Sequence, residues 1–293
     1  MAGLKEIRTR IASVKTTRQV TSAMKMVAAA KLKKAQDAIL QIRPYADKLH
    51  QILVSISSNL MDIEDLVCIK PREPEKVLVV LISSNRGLCG GFNLSISKKA
   101  AELVRIKYGM QYQLGDVHFL CIGSQGERQI KLQGMNVVKN RHELYDNLDF
   151  EHICQVTEEI VNDFIDGTYD RVELVYNQFK NAAVQSNVIE QFLPVPIEEK
   201  KEMNSYYDYI YEPSREHIIR EIIPRSLKIQ FYRALLDSYA SEHGARMTAM
   251  HQATDNASEL LKDLMLQYNK VRQNTITNEI IEIVSGSEAL KSG

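Results

Sequence analysis

A heptad repeat in the first sixty residues limits what this chain can become. Leu4, Ile11, Arg18, Lys25, Leu32, Ile39, Ala46, Leu53 and Leu60 form one series; Ile7, Val14, Thr21, Ala28, Ala35, Ile42, Leu49 and Ile56 form the other. Fourteen of the seventeen positions are apolar, and the three exceptions, Arg18, Thr21 and Lys25, are consecutive. No glycine falls between Gly3 and Gly87. Two apolar positions per seven residues, sustained this long, specify a coiled-coil seam. Pro44 lies off the seam and is expected to kink or distort the helix locally.

The other end of the chain mirrors this pattern. Between Pro224 and Gly286 there is one glycine, Gly244, and no proline. Apolar residues recur at three-four spacing through Met250, Ala253, Ala257, Leu260/Leu261, Leu264, Tyr268 and Val271. Beyond them Ile276, Ile280, Ile281, Ile283 and Val284 ring the helix almost completely, so a helix end of this kind needs a cover. Length then constrains the arrangement. A compact globule of 293 residues is about 50 Å across, whereas a helix over residues 4–60 runs about 85 Å. The two ends are expected to pair antiparallel as a rod, sheathed along much of its length by something else.

Between the helices the texture changes to short β-rich runs, KVLVVLIS (76–83), DVHFLCIG (116–123), MNVVKN (135–140) and DRVELVYNQF (170–179). Helical stretches at 94–107, 124–133 and 151–166 separate them. That alternation predicts an α/β domain with a mainly parallel sheet. The expected organisation is a coiled-coil helix at 1–62, an α/β domain at 75–200 and a second coiled-coil helix at 212–290.

Net formal charge is zero, which gives no support to general polyanion binding. Its distribution is uneven: residues 1–50 hold eleven Lys/Arg against three acids, so the remainder carries the opposite excess. The stretch MKMVAAAKLKKAQDAI (24–39) is small and smooth on one side and lysine-rich on the other. A solvated basic face is the default reading of such a stretch, and an acidic partner surface is the functional one. A basic coiled-coil scaffold for nucleic acid also fits the charge, although the segment has no interleaved aromatic residues. No apolar run reaches the roughly 18 residues of a membrane span. The amphipathic start continues too far to read as a cleaved targeting segment.

Candidate chemistry is sparse. The glycines of SSNRGLCGGFN (83–93) follow a strand and precede a helix, where phosphate loops occur. The stretch lacks the Lys-Ser/Thr of a P-loop and the spacing of a dinucleotide fingerprint, so Arg86, Gly87, Gly90 and Gly91 are read first as a structural turn and second as a ligand loop. Cys68, Cys89, Cys121 and Cys154 form no CxxC pair, and the seven histidines show no metal-ligand spacing. No catalytic, cofactor or metal site is expected.

Three stretches carry a resemblance: MKMVAAAKLKKAQ (24–36), SNRGLCGGFN (84–93) and the long segment from ASEHGARMTAMHQATDN to EIVSGSEAL (240–290). Together with the opening GLKEIRTRIASVKTTRQVTSAMKMVAAAK (3–31) and YDYIYEPS (207–214), they resemble the gamma subunit family of the F-type ATP synthase. Asn85 and Asn274 depart from residues usual in that family, Asp and Ala. The chloroplast form adds a redox cysteine pair, and the region 195–240 has no cysteine. The resemblance implies an antiparallel coiled coil on a Rossmann-like base, one copy per complex, turning inside a ring of alpha and beta subunits and resting on the epsilon subunit and the membrane c-ring. ATP chemistry would belong to the ring. It implies ring contacts for Met24, Lys25, Lys31, Lys33, Lys34, Arg246, Gln273, Thr277, Glu279 and Ile283, and base contacts for Tyr206 and Tyr207. The lysines would face acidic beta loops. The implied place is the cytoplasmic face of a bacterial inner membrane, peripherally bound, because the helix begins almost at Met1.

Overall fold

We describe the protein from a computed structural model covering residues 3–57, 67–70, 72–146, 148–182, 184–196, 212 and 215–291. Tyr206 and Tyr207 lie outside the described residues. The chain divides into two compact units, residues 1–27 with 247–293, and residues 28–246. Two long helices, α1 (Leu4–Ser57) and α7 (Arg215–Lys291), each contribute to both.

The second unit holds a five-stranded sheet. Its strands are β1 (Val77–Ile82), β2 (Val117–Ile122), β3 (Val137–Asn140), β4 (Arg171–Phe179) and β5 (Gln185–Leu193), in the order β3-β2-β1-β4-β5. Pairings β1–β2, β1–β4 and β2–β3 are parallel, and only β4–β5 is antiparallel. The mainly parallel sheet follows the sequence expectation. The fifth strand was not anticipated, because QSNVIEQFL, at a sheet edge, sets polar and apolar residues in short blocks and shows no period-two alternation.

β1, VLVVLI, is buried at every position because helices cover both faces. Its odd residues, Val77, Val79 and Leu81, pack with Ile96, Ala100 and Val104 of α2 (Phe92–Lys107). Its even residues, Leu78, Val80 and Ile82, pack with Ile153, Ile160 and Phe164 of α6 (Phe150–Ile165). They also meet Ile219, Ile223, Leu227 and Phe231 of α7, whose four-residue spacing makes one helical face. Shorter helices complete the connections: α3 (Gly109–Leu114), α4 (Ser124–Leu132) and α5 (Glu143–Asp146). α1 remains helical through Pro44, and α7 through Pro224.

In the first unit, α1 and α7 are paired antiparallel. Thr21 and Thr254 share a hydroxyl hydrogen bond of 2.9 Å, and Arg8 donates to the Tyr268 hydroxyl at 2.9 Å. A step of thirteen residues back along α1 thus corresponds to fourteen forward along α7. Ile7 is buried in the seam and lines a groove with Leu264 and Val271. Met250, Ala257, Leu261 and Leu264 supply the facing side, while Leu260 turns outward. The polar break in the heptads does not leave the seam: Arg18, Thr21 and Lys25 are each half-buried.

Candidate functional site

Three features could carry function: the turn after β1, the basic face of α1 and the far end of α7. The turn comes first because its sequence most resembles a ligand loop. Gly90 has φ +60°, a left-handed conformation open to glycine at little cost. Leu88 shares it at φ 63°, with its side chain in solvent. The Ser84 amide donates to Asn93 Oδ1 at 3.0 Å, and the Ser84 hydroxyl donates to the Arg86 carbonyl at 2.7 Å. Asn85 uses both ends of its amide. Nδ2 donates to the His142 carbonyl at 2.9 Å, and Oδ1 accepts the Ser124 N–H at 3.1 Å. An aspartate at this position could make only the second bond, so the Asn85 departure has a physical use.

The outward carbonyls of the turn are engaged by α7. Arg246 Nη2 donates to the carbonyls of Arg86 and Gly87, both at 3.1 Å. Its Nη1 donates to Glu242 one helical turn earlier. Both side chains are nearly fully buried. Burial raises the Glu242 carboxyl above its ordinary range, against the opposing pull of Arg246. His243, stacked edge-on to Tyr239 at 4.4 Å, is driven down to about 3 by burial first and then by the charges of Arg246 and Lys31, so it is neutral at physiological pH. Cys89 is a buried free thiol, raised chiefly by burial. A raised thiol is a poor nucleophile. Among the described residues no group of His, Cys, Asp or Glu could hold a metal ion.

The basic face is different in kind. Lys31, Lys33 and Lys34 are exposed, while Met24 and Lys25 are half-buried. Ala28, Leu32 and Ala35 point inward between them. At the far end of α7, the pairing register brings Leu4, where α1 begins, to the level of Val271–Thr275. From Ile276 onward, α7 has no residue of the described α1 opposite it. The side chains follow: Ile276, Thr277, Glu279, Ile280, Ile281, Ile283 and Val284 are all exposed, Ile283 by 70%. Gln273 is exposed just below this level.

The implied contact residues are therefore not one cluster. Lys31, Lys33 and Lys34 lie on the outward side of α1 and Lys25 in its seam, Thr277, Glu279 and Ile283 on an unpaired helix end with Gln273 just below it, and Arg246 inside the protein against the turn. Sequence reasoning passed over Ser241, Glu242, Gly244 and Tyr145. The only local signal was the i,i+4 spacing of Glu242 and Arg246 in SEHGAR. The turn that Arg246 grips lies 160 residues away.

The family model described as ATP synthase matches residues 3–290. The chain belongs to the ATP synthase gamma chain family. It is 50% identical to the ATP synthase gamma chain of Cytophaga hutchinsonii over the full length of both. It is 51% identical to that of Flavobacterium psychrophilum, over 99% of this chain and 100% of the relative. The fold is similar to the rotor of the Euglena gracilis mitochondrial ATP synthase (TM-score 0.67, 18% identity, 93% of this chain and 98% of the other). It is also similar to a chain from the central stalk and c-ring of the Tetrahymena thermophila enzyme (TM-score 0.56, 24% identity, 80% and 99%). As a family member, the chain is a non-catalytic central-stalk subunit of an ATP synthase.

Proposed function

We propose that the chain is the turning shaft of its ATP synthase, coupling ion-driven rotation of the membrane ring to ATP synthesis or hydrolysis on the alpha-beta ring. Its partners are the alpha and beta subunits around the paired helices, and the epsilon subunit and c-ring at the base. The observation that carries this reading is family membership across residues 3–290. Two features of the structure support it. The end of α7 exposes a ring of isoleucines that a sleeve would cover. The basic face of α1 presents Lys31, Lys33 and Lys34 to solvent, where moving acidic loops could meet them without a fixed partner.

Small Ala and flexible Met side chains let such a shaft repack against changing neighbours. A shaft without three-fold symmetry presents a different face to each beta subunit. Its differential contacts shift the open-closed equilibrium of each site, and rotation permutes those states. Contacts at Met24, Lys25, Gln273, Thr277, Glu279 and Ile283 belong to this reading, as do base contacts at Tyr206 and Tyr207.

The protein is part of the peripheral sector of a membrane enzyme, and no described helix is long and apolar enough to cross a membrane. We place it on the cytoplasmic face of a bacterial inner membrane, in keeping with its bacterial relatives. The deciding experiment is affinity purification of the tagged chain from its native membranes. It should bring down an ATPase complex holding one copy of this chain. Recovery of the chain alone, with steeply salt-dependent DNA binding, would instead favour a nucleic-acid scaffold.

A further inference from the structure

Strands β1, β2 and β3 are laid down in one direction across the sheet, and β4 then returns to the other side of β1. The crevice between the carboxyl ends of β1 and β4 is thus the topological switch point, where open α/β sheets ordinarily bind their ligands. In this protein α7 lies across it. Ser241 Oγ donates to the Asn177 carbonyl on β4 at 3.0 Å. Gly244 packs on the β4–β5 turn so closely that an added Cβ would sit 3.2 Å from the Ala182 carbonyl oxygen and 3.3 Å from its Cα. Arg246 reaches the β1 side and donates to the carbonyls of Arg86 and Gly87.

We propose that the switch-point crevice is a socket for the chain's own C-terminal helix, with Gly244 and Arg246 as the positioning residues through which torque passes between the α/β domain and α7. The proposal rests on the shaft reading and adds to it the place where the grip is made. A sheet of this topology with an open crevice could bind a small molecule; here the crevice is filled by a segment of the same polypeptide. The grip resists twist because its contacts are spread along the helix. Asn177 and Ala182 hold one side and the two turn carbonyls hold the other. A planar guanidinium with one nitrogen on both carbonyls and the other on Glu242 fixes orientation as well as distance. From Arg246, α7 continues as helix to Lys291, so a twist applied at the socket is carried by the backbone hydrogen bonds of a single element.

The test uses the complete ATP synthase in sealed membrane vesicles and reads ions pumped per ATP hydrolysed. Gly244→Val forces a branched side chain against backbone that cannot rotate away. It should lower the pumping-to-hydrolysis ratio about threefold or more, with subunit composition unchanged. Gly244→Ala, whose single Cβ demands a shift of a few tenths of an ångström, should fall between Val and the native protein. Arg246→Lys retains the charge but places one nitrogen where arginine has two, so it cannot hold Glu242 and the two turn carbonyls in the same fixed fork, and should also lower the ratio. A role in stability alone would reduce the yield of complex and leave the ratio of the surviving complexes at the native value. That outcome in all three variants would overturn the proposal. If Gly244→Val does not assemble, Gly244→Ala and Arg246→Lys decide by the same ratio. Failure of the shaft reading would look different, because complexes lacking the native chain would then pump as well as complete ones.

Discussion

The same helix, α7, is held in two ways. In the unit that contains the sheet, residues 234–244 of α7 are buried almost without interruption, and Ser241 and Arg246 bond to backbone carbonyls of other elements. In the unit formed by the chain ends, only every third or fourth residue turns inward, and the polar contacts between the two helices include a pair of threonine hydroxyls and an exposed Arg–Tyr bond. Directional bonds to fixed backbone specify one orientation. A single apolar seam specifies register and leaves the outer surface uncommitted. A component gripped at one end and surrounded by changing neighbours at the other needs this division.

The comparison breaks most visibly at the ion pair. Arg246→Ala should leave Glu242 buried without its partner and destabilise the chain by about 3–5 kcal/mol in urea unfolding. Adding Glu242→Gln should recover much of that loss. An Arg246→Ala effect below about 1 kcal/mol would mean that the grip is no firmer than an exposed pair.

A second test uses pH. Asp237, buried on α7, is pushed up to about 6, chiefly by burial and by nearby Glu190, and against the pull of Arg233 and Arg43. Its folded value lies above the model-compound 3.8, so the ionised form is penalised in the folded state. This penalty is fully present above pH 6. It fades as the pH falls through 6 towards 3.8, so this group makes the chain more stable on acidification across that window. Asp237→Asn should raise stability at pH 8 by about 1–3 kcal/mol and remove this part of the pH dependence. A lower Tm at pH 8 would show that the arginine contacts outweigh burial.

The basic face should behave in the opposite manner. Exposed charge contacts are worth about 0–1 kcal/mol each. Single Lys→Glu changes at the exposed Lys31, Lys33 and Lys34 should therefore be mild, and one at Lys25, half-buried in the seam, larger. The quadruple change should depress ion-driven ATP synthesis while leaving the helical circular dichroism of the chain unchanged. Loss of helix content would assign these residues to folding. The smallest effect is expected at the end of α7. Deleting residues 276–293 removes described side chains that face no residue of the described α1, so the unfolding free energy of the isolated chain should change by no more than about 0.5 kcal/mol. The assembled complex should become easier to dissociate.

Much of this was legible in the sequence where the signal is periodic. The heptads located the seam. They also identified Arg18, Thr21 and Lys25 as its odd members, and their half-burial shows that the seam passes through them. Short β-rich runs gave the four parallel strands, most clearly β1, which is apolar throughout because both its faces are covered. β5 was missed because its amides and Glu190 serve side-chain bonds at an edge, with Glu190 accepting from Tyr176 at 2.9 Å and Gln230 at 2.6 Å. The socket was not legible at all. Arg246 reads, by resemblance, as an outward contact until the fold brings Arg86 and Gly87 beneath it. Gly244 reads as a flaw in a helix until the β4–β5 turn is seen against it.

The unpaired stretch of α7 also governs how the free polypeptide behaves before it meets its complex. Residues 276–291 offer water Ile276, Ile280, Ile281, Ile283, Val284 and Leu290 on a helix with no neighbour in α1. An exposed apolar end of this kind is a liability for self-association as well as a surface for a sleeve. Chains released from synthesis ahead of their ring subunits are therefore exposed to self-association that steepens with concentration. Keeping this subunit scarce relative to its sleeve, or delivering it last, would keep that end from finding the wrong company.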